Sequence, residues 1–172
     1  SFGVAPAIVM MYAVMQIASV EKYSSEFWAL SISVSAFVLA GALRLARYNI
    51  TNEKPIKGWF SGLPITGAGA GLTATAIILI VRYQDQLNTD QLILLVPGFM
   101  LFLSLCMVST FKFPKMAKRD GIYINSFQAL NFIVSCYCAI TKSYPEFLFF
   151  MGIFLLITGT VAGFFVKASQ TE

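Results

Sequence analysis

The sequence predicts an all-α membrane protein, a bundle of six transmembrane helices that occupies residues 1–172 as a single domain. Of the 172 residues, 58% are hydrophobic and 12% are charged, whereas a soluble domain carries about 25% charged residues. The apolar residues form six runs, each long enough to cross about 30 Å of hydrocarbon, which takes roughly 20 helical residues. The composition therefore argues against a water-soluble monomer.

The six apolar runs are predicted to be helices because a segment in lipid must satisfy its backbone N–H and C=O groups internally. They cover approximately residues 1–20, 27–43, 63–81, 91–111, 122–140 and 147–166. Pro64 begins the third run, where its missing N–H is harmless, and Pro97 lies inside the fourth, which it is expected to kink. The chain begins SFGVAPA without an initiator Met, so we expect residue 1 to follow a further segment of a longer protein.

The basic residues alternate between the two ends of the predicted bundle. Nine of the 12 Lys and Arg follow the second, fourth and sixth runs, and three follow the first, third and fifth. The nine are Arg44, Arg47, Lys54, Lys57, Lys112, Lys115, Lys118, Arg119 and Lys167, and the three are Lys22, Arg82 and Lys142. Since Lys and Arg are retained in cytoplasmic loops, this alternation supports six crossings and places connections 44–57 and 112–119 in the cytoplasm. It also explains the positive charge without nucleic-acid binding.

The sequence lacks the residues of several common catalytic sites. It has no His, and its three Cys lie inside apolar runs, so neither a zinc site nor a disulfide framework is predicted. No Asp, Glu, Lys or Arg lies in the middle of a run, which argues against a pump or a proton-coupled carrier. Glu53 and Asp120 each stand alone in a loop, and no nucleophile motif is present. We therefore assign no catalytic and no metal-binding residue within this chain.

The candidate binding residues lie at the predicted cytoplasmic interface. Arg44 and Arg47 are three residues apart on one helix face, and Asn49 follows closely. Two guanidinium groups so placed can clamp a phosphate or a carboxylate with paired N–H donors. Spacing alone equally allows both arginines to anchor the helix end by reaching to the lipid headgroups. The basic cluster that begins at Lys112 has the same two interpretations, because anionic headgroups attract it without any site.

Small and polar residues predict where helices pack. Gly67 and Gly71 are four residues apart, a spacing that lets helix backbones approach in lipid. The string GAGAG does not continue into the GxGxxG pattern of a phosphate loop, because residue 72 is Leu. The fifth run carries a polar stripe at Asn125, Gln128, Asn131 and Ser135. Interhelical hydrogen bonds are the favoured role of this stripe, and a lining for a polar substrate is the alternative.

Four stretches of the chain, taken in order, resemble a known family. They are SFGVAPA from Ser1, GALRLARYN from Gly41, FSGLPITGAGAG from Phe60 and MVSTFKF from Met107. Together they are similar to the CDP-alcohol phosphotransferases, and within them to the phosphatidylserine synthases, the CDP-diacylglycerol–serine O-phosphatidyltransferases. The family signature DGxxAR followed by GxxxDxxxD is not in these 172 residues and in relatives would precede the position of Ser1. The usual second Pro after GLP is also absent, because Pro64 is followed by Ile65, Thr66 and Gly67.

The resemblance implies an activity, cofactors and partners. It implies transfer of the phosphatidyl group of CDP-diacylglycerol to L-serine with release of CMP, by a homodimer in the cell (inner) membrane whose active face is cytoplasmic. It implies Mg²⁺ or Mn²⁺ held by signature aspartates upstream of Ser1, outside this chain, so we expect the 172 residues alone to be inactive. The expected substrate-binding residues are Arg44, Arg47, Asn49, Ser109 and Lys112.

Two alternative functions remain open from the sequence. The first is a sister enzyme of the same family that uses another acceptor, glycerol phosphate or inositol phosphate, for which the two basic loops could supply the additional contacts. The second is a noncatalytic membrane carrier or scaffold. An aspartate signature upstream of residue 1 is expected for the enzymes and not for the scaffold.

Overall fold

The computed structural model describes residues 3–50, 59–109, 112–114, 122–141 and 144–168 of the chain. In this part the fold is helical, with six α-helices: α1 (Val4–Ile17), α2 (Ser25–Ile50), α3 (Ala74–Arg82), α4 (Thr89–Val108), α5 (Ile122–Thr141) and α6 (Pro145–Ala168). A π-helical segment, Gly67–Thr73, leads directly into α3. Each helix falls on one of the six predicted runs, so the helical class is confirmed.

Two short strands were not expected from the sequence. β1 (Trp59–Ser61) and β2 (Lys112–Pro114) pair antiparallel, with Trp59 opposite Pro114 and Ser61 opposite Lys112. Each strand has three residues and lies next to an apolar run, so neither shows the alternation by which a longer strand is recognised. Their pairing joins the connection after α2 to the connection after α4, at one end of the helices.

Two helices, Ser25–Ile50 and Thr89–Val108, are long and apolar enough to cross a membrane by length and composition. The other apolar stretches in the described residues are shorter. The described surface agrees with a lipid environment, because large apolar side chains are exposed all around the helices; Ile140 is 81% exposed, Leu94 76% and Leu105 72%. The structure thus supports a membrane protein, and the number of six crossings stays a prediction.

The core lies between α1, α2 and α4. Met10 of α1, Phe37 of α2 and Met100 of α4 are fully buried, and α2 with α4 is the most extensive helix pair. The π-helical segment and α3 close this core from another side and also contact α6. α5 contacts only α6 among the described elements. The tightly packed part of the molecule is therefore the part that contains the family-like stretches.

One predicted boundary differs in a way that matters for function. The second apolar run was expected to end at residue 43, but α2 continues for seven further residues, to Ile50. The run of apolar side chains ends where the helix is expected to leave the lipid. The backbone hydrogen bonds of a helix do not need apolar side chains, so the helix continues into the polar region. Arg44 and Arg47 therefore lie on a helix, as their spacing predicts, and Asn49 is part of the same helix.

Candidate functional site

The four family-like stretches meet at one end of the bundle. This end is formed by Gly3 at the start of α1, the last turns of α2, residues 62–65 before the π-helical segment, and the last turn of α4. We call it the arginine end, because Arg44 and Arg47 belong to it. Segments that are more than 100 residues apart in sequence thus converge, which the resemblance alone did not require.

The last turn of α4 is the centre of the arginine end, because partners from three places cover its carbonyl groups. The carbonyl of Cys106 accepts hydrogen bonds from the Leu63 N–H, at 3.1 Å, and from the Ser109 hydroxyl, at 2.8 Å. The carbonyl of Val108 accepts one from Nη1 of Arg47, at 3.2 Å. The last carbonyls of a helix have no partner within the helix and carry partial negative charge. The cationic side chain of Arg47 complements that charge, so α2 and α4 are fixed to each other at this point.

Gly62 lets residues 62–65 lie directly against this turn. Its φ is +74°, a left-handed conformation that glycine adopts at little cost. A Cβ built on Gly62 would lie 2.5 Å from the carbonyl oxygen of Met107 and 3.0 Å from that of Ser109. Both the backbone conformation and the contact distances therefore require glycine at residue 62. This requirement explains the glycine of the FSGLP stretch.

Ile65 fills a notch on the other side of residues 62–65. A Cβ built on Gly3 would lie 2.9 Å from Cδ1 of Ile65, and one built on Gly41 would lie 2.8 Å from the same atom. Both distances are shorter than the roughly 3.5–4.0 Å of ordinary carbon contacts. The side chain of Ile65 is thus seated where two glycines leave room for it, between the start of α1 and the middle of α2.

The two arginines have different surroundings. Arg44 is half-buried, and its Nε is inaccessible to solvent and has no hydrogen-bond partner in the described residues. Arg47 is exposed and donates to the Val108 carbonyl. A buried N–H donor without a partner is costly, by about 1–3 kcal/mol. Arg44 is therefore the residue of the pair with an unsatisfied buried donor.

The position of Arg44 along α2 agrees with the depth of a lipid headgroup. It lies 19 residues after Ser25, roughly 28 Å along the helix at 1.5 Å per residue. This length is close to the ~30 Å thickness of a bilayer's hydrocarbon core. A helix that begins at one interface with Ser25 thus presents Arg44 at the other interface, and Arg47 about one turn further out.

The structure brings together only some of the residues predicted for the site. Ser109 adjoins the Val108 carbonyl that Arg47 binds, so these two residues are close as expected. The hydroxyl of Ser109, however, donates to the Cys106 carbonyl, which makes it a capping group of α4. Asn49 is exposed near the end of α2. The backbone of Lys112 lies in β2, opposite Ser61, whereas its side chain is outside the described residues.

Other sequence predictions have mixed outcomes. The helix begins just after Pro64, whose carbonyl accepts the N–H of Ala68, as expected. Pro97 lies inside α4, and the kink stays a prediction. At Gly67 and Gly71, where a close approach was expected, a built Cβ would meet among the described residues only atoms of the same stretch, 3.8–4.0 Å away. Close approaches occur at Gly3, Gly41 and Gly152 instead. The basic residues 54, 57, 115, 118 and 119, and the side chains of residues 125 and 128, lie outside the described residues.

The opposite end of the bundle has a small polar cluster of its own. The Tyr83 hydroxyl, just after α3, donates to Oε1 of Glu146 at 2.5 Å, and Nε of Arg82 lies 3.9 Å from the same oxygen. The hydrogen bond raises the pKa of Tyr83 and lowers the pKa of Glu146. A shallow, open apolar depression of about 400 Å³ adjoins this cluster, lined by Val134, Cys138, Tyr144, Glu146 and Phe147. No residue predicted for substrate binding lies here. The hydrogen bond between Tyr83 and Glu146 connects the end of α3 to the start of α6.

The described residues do not fit the metal ions that the resemblance implies. No group of three or more His, Cys, Asp or Glu side chains able to hold a metal occurs among them. The arginine end instead presents N–H donors and backbone carbonyls. Among these donors, Nε of Arg44 has no hydrogen-bond partner in the described residues.

Comparison with known proteins gives relatives with a common name. Two proteins from Helicobacter pylori, strains J99 and 26695, are 34% and 33% identical to this chain over 120 residues, 69% of this chain and 45% of each relative. A protein from Methanocaldococcus jannaschii is 36% identical over 124 residues, 72% of this chain and 49% of the relative. All three are named CDP-diacylglycerol–serine O-phosphatidyltransferase.

No family model matches the chain. The chain spans about half the length of the curated relatives it matches. Identity above 30% over more than two thirds of this chain nevertheless confirms the resemblance that the four stretches predict. Over the matched residues, this chain is homologous to the phosphatidylserine synthase branch of the CDP-alcohol phosphotransferases.

Proposed function

We propose that the protein containing this chain is an integral membrane enzyme that transfers the phosphatidyl group of CDP-diacylglycerol to L-serine and releases CMP. The relatives carry the name of this activity. The observation that supports it most directly is the convergence of the four family-like stretches at the arginine end. A site there, at headgroup depth, can receive a substrate whose acyl chains stay in lipid while its nucleotide stays in water.

The proposed reaction replaces one phosphorus–oxygen bond by another. The oxygen of the serine hydroxyl forms a bond to the lipid-side phosphorus, the bond between that phosphorus and the bridging oxygen breaks, and CMP leaves with the bridging oxygen. The hydroxyl proton is lost, and the resemblance implies that a signature aspartate outside this chain accepts it. Mg²⁺ or Mn²⁺, held by such aspartates, would supply charge neutralisation at the pyrophosphate. In this proposal the 172 residues contribute substrate binding, and the metal ligands belong to the upstream signature.

Arg44 is the central binding residue in this proposal. Its Nε is buried and has no partner in the described part of the chain, so a phosphate or carboxylate oxygen that binds there removes an unsatisfied donor. Hydrogen bonds to a charged partner contribute about 1.5–3 kcal/mol each. Arg47 keeps α2 against α4 through Val108 and adds positive charge. Asn49, Ser109 and Lys112 stay candidates for further substrate contacts at this end.

The location and assembly of the enzyme are part of the same proposal. We place the arginine end on the cytoplasmic side of the cell (inner) membrane. Nine of the 12 basic residues follow the second, fourth and sixth apolar runs, and Lys and Arg are retained on the cytoplasmic side. The ends of α2 and α4, which belong to the second and fourth runs, meet at the arginine end. We also propose a homodimer, which only the resemblance supports. A mass measurement of the complete protein in a membrane mimetic tests the dimer.

The test uses complete protein purified in its membrane. Replacing Arg44 or Arg47 with Ala should lower serine-dependent CMP release at least about tenfold, which corresponds to about 1.4 kcal/mol. The matched control is Arg82→Ala, which removes an arginine from the opposite end and should change CMP release less than about twofold. If the Arg44 and Arg47 variants insert correctly and turn over normally, these residues are membrane anchors and the binding proposal is wrong.

The acceptor is tested in the same assay. Release of CMP with glycerol phosphate or inositol phosphate, and none with serine, would assign the protein to a sister enzyme. No release with any acceptor, with either Mg²⁺ or Mn²⁺ present, would favour a carrier or scaffold.

A further inference from the structure

The side chain of Ile65 contacts two helices at points where each lacks a side chain. Gly3 precedes α1 and Gly41 lies in α2. A Cβ on either would come within 3 Å of Cδ1 of Ile65. Since Gly41 is buried, this contact lies inside the bundle and not on its lipid surface.

Ile65 is also connected to α4. It follows Leu63 and Pro64, and the Leu63 N–H is hydrogen-bonded to the Cys106 carbonyl. The backbone of Gly62 lies so close to this turn that an added Cβ would meet the carbonyl oxygens of Met107 and Ser109. The short stretch 62–65 thus holds α4 with its first two residues and reaches α1 and α2 with its last.

The face of α2 that Ile65 contacts is the face that carries Arg44. Residues three apart on a helix are neighbours on the same face, and Gly41 and Arg44 have this spacing. The contact between Ile65 and Gly41 therefore lies about one helical turn from Arg44 on the same face of α2. Arg47, which is three residues further, is fixed separately to Val108.

We propose that Ile65, seated between Gly3 and Gly41, is a positioning residue that sets the place of Arg44 for binding the anionic part of the substrate. This inference rests on the proposed function, because it assigns Arg44 to a substrate anion. Ile65 does not itself touch the substrate in this account. Its effect passes through the backbone of α2.

The test compares four variants of the complete protein. Gly41→Ala adds the Cβ that Cδ1 of Ile65 would meet at 2.8 Å. Ile65→Val removes Cδ1, and the double variant combines the two, so that the added methyl group occupies the space of the removed one. Gly98→Ala is the matched control, because a Cβ on this helical glycine meets nothing within 4 Å.

Gly41→Ala should raise the KM for CDP-diacylglycerol at least about fivefold while kcat changes less than about threefold, because a misplaced Arg44 weakens binding before and during the reaction alike. Adding Ile65→Val to it should bring KM back to within about twofold of the unmodified protein. Gly98→Ala should leave KM unchanged. The inference is wrong if Gly41→Ala behaves like Gly98→Ala, or if Ile65→Val does not restore KM.

A second measurement separates this inference from the proposed reaction. The rise in the unfolding temperature on adding CDP-diacylglycerol reports binding without any acceptor or turnover. At a fixed ligand concentration the rise should be smaller in Gly41→Ala and recovered in the double variant. An unmodified protein that shows this rise but no transfer refutes the proposed function. The positioning role of Ile65 is then decided by whether the double variant recovers the rise that Gly41→Ala reduces. A purely structural role for Ile65 predicts lower unfolding temperatures for the variants without ligand, but the same rise when the ligand is added.

Discussion

Replacing Gly62 with Ala is the most direct test of how the arginine end is built. The left-handed backbone of Gly62 (φ +74°) costs a residue with a Cβ about 1–2 kcal/mol. The new Cβ would also lie 2.5 Å from the Met107 carbonyl oxygen, a backbone atom that cannot swing away. Forcing such an overlap costs typically 1–3 kcal/mol. We expect Gly62→Ala to lower the free energy of unfolding by about 2–5 kcal/mol.

Unfolding of the complete protein by denaturant in a fixed membrane mimetic measures this value. Gly98→Ala and Gly71→Ala serve as controls, because a Cβ at Gly98 meets nothing within 4 Å and one at Gly71 makes only an ordinary contact at 3.8 Å. Alanine is favoured over glycine within a helix by about 0.5–1 kcal/mol, so neither control should be less stable than the unmodified protein. If Gly62→Ala is as stable as these controls, the contact between residues 62–65 and α4 does not exist as described.

Two further predictions concern the opposite end and the orientation of the chain. The pKa of Glu146 is below its ordinary 4.5 in the folded protein, so its contribution is present above that pH and is lost as the pH falls through the lowered value. The pKa of Tyr83 is above its ordinary 10.0, so its contribution is lost as the pH rises through the raised value. Tyr83→Phe should therefore flatten the pH dependence of the unfolding temperature at both extremes, and an unchanged curve would mean that this hydrogen bond is not formed. Asn49→Cys should react with a membrane-impermeant maleimide only after intact cells are opened, whereas Gln84→Cys should react in intact cells; the reverse pattern would invert the proposed topology. Both positions are exposed.

The helices were predictable from the sequence because apolarity is a local property that every run displays. The extension of α2 to Ile50 was not, since the run of apolar residues ends before the helix does. The ladder between β1 and β2 depends on pairing residues about 50 positions apart, and three-residue strands carry too little pattern to indicate their partner.

Part of the candidate site was predictable as well. The spacing of Arg44 and Arg47 placed both on one helix, and the resemblance connected them with Ser109. The packing glycines were chosen by spacing, which favoured Gly67 and Gly71, whereas close approach also depends on which neighbour faces the helix. Gly41 has such a neighbour in Ile65. The φ of Gly62 likewise follows from how residues 62–65 meet α4, a tertiary contact that no local pattern contains, although the GLP sequence marks a turn.

The carbonyl groups at the end of α4 have a consequence for the order in which the molecule assembles. Arg47 precedes its acceptor by 61 positions, and Leu63 precedes Cys106 by 43, so a ribosome delivers the donors well before the acceptors. The hydrogen bonds that these donors make to the end of α4 therefore form only after α4 has been made. Contacts of such long sequence separation form late, and maturation of this region is therefore completed only when the later half of the chain has been made.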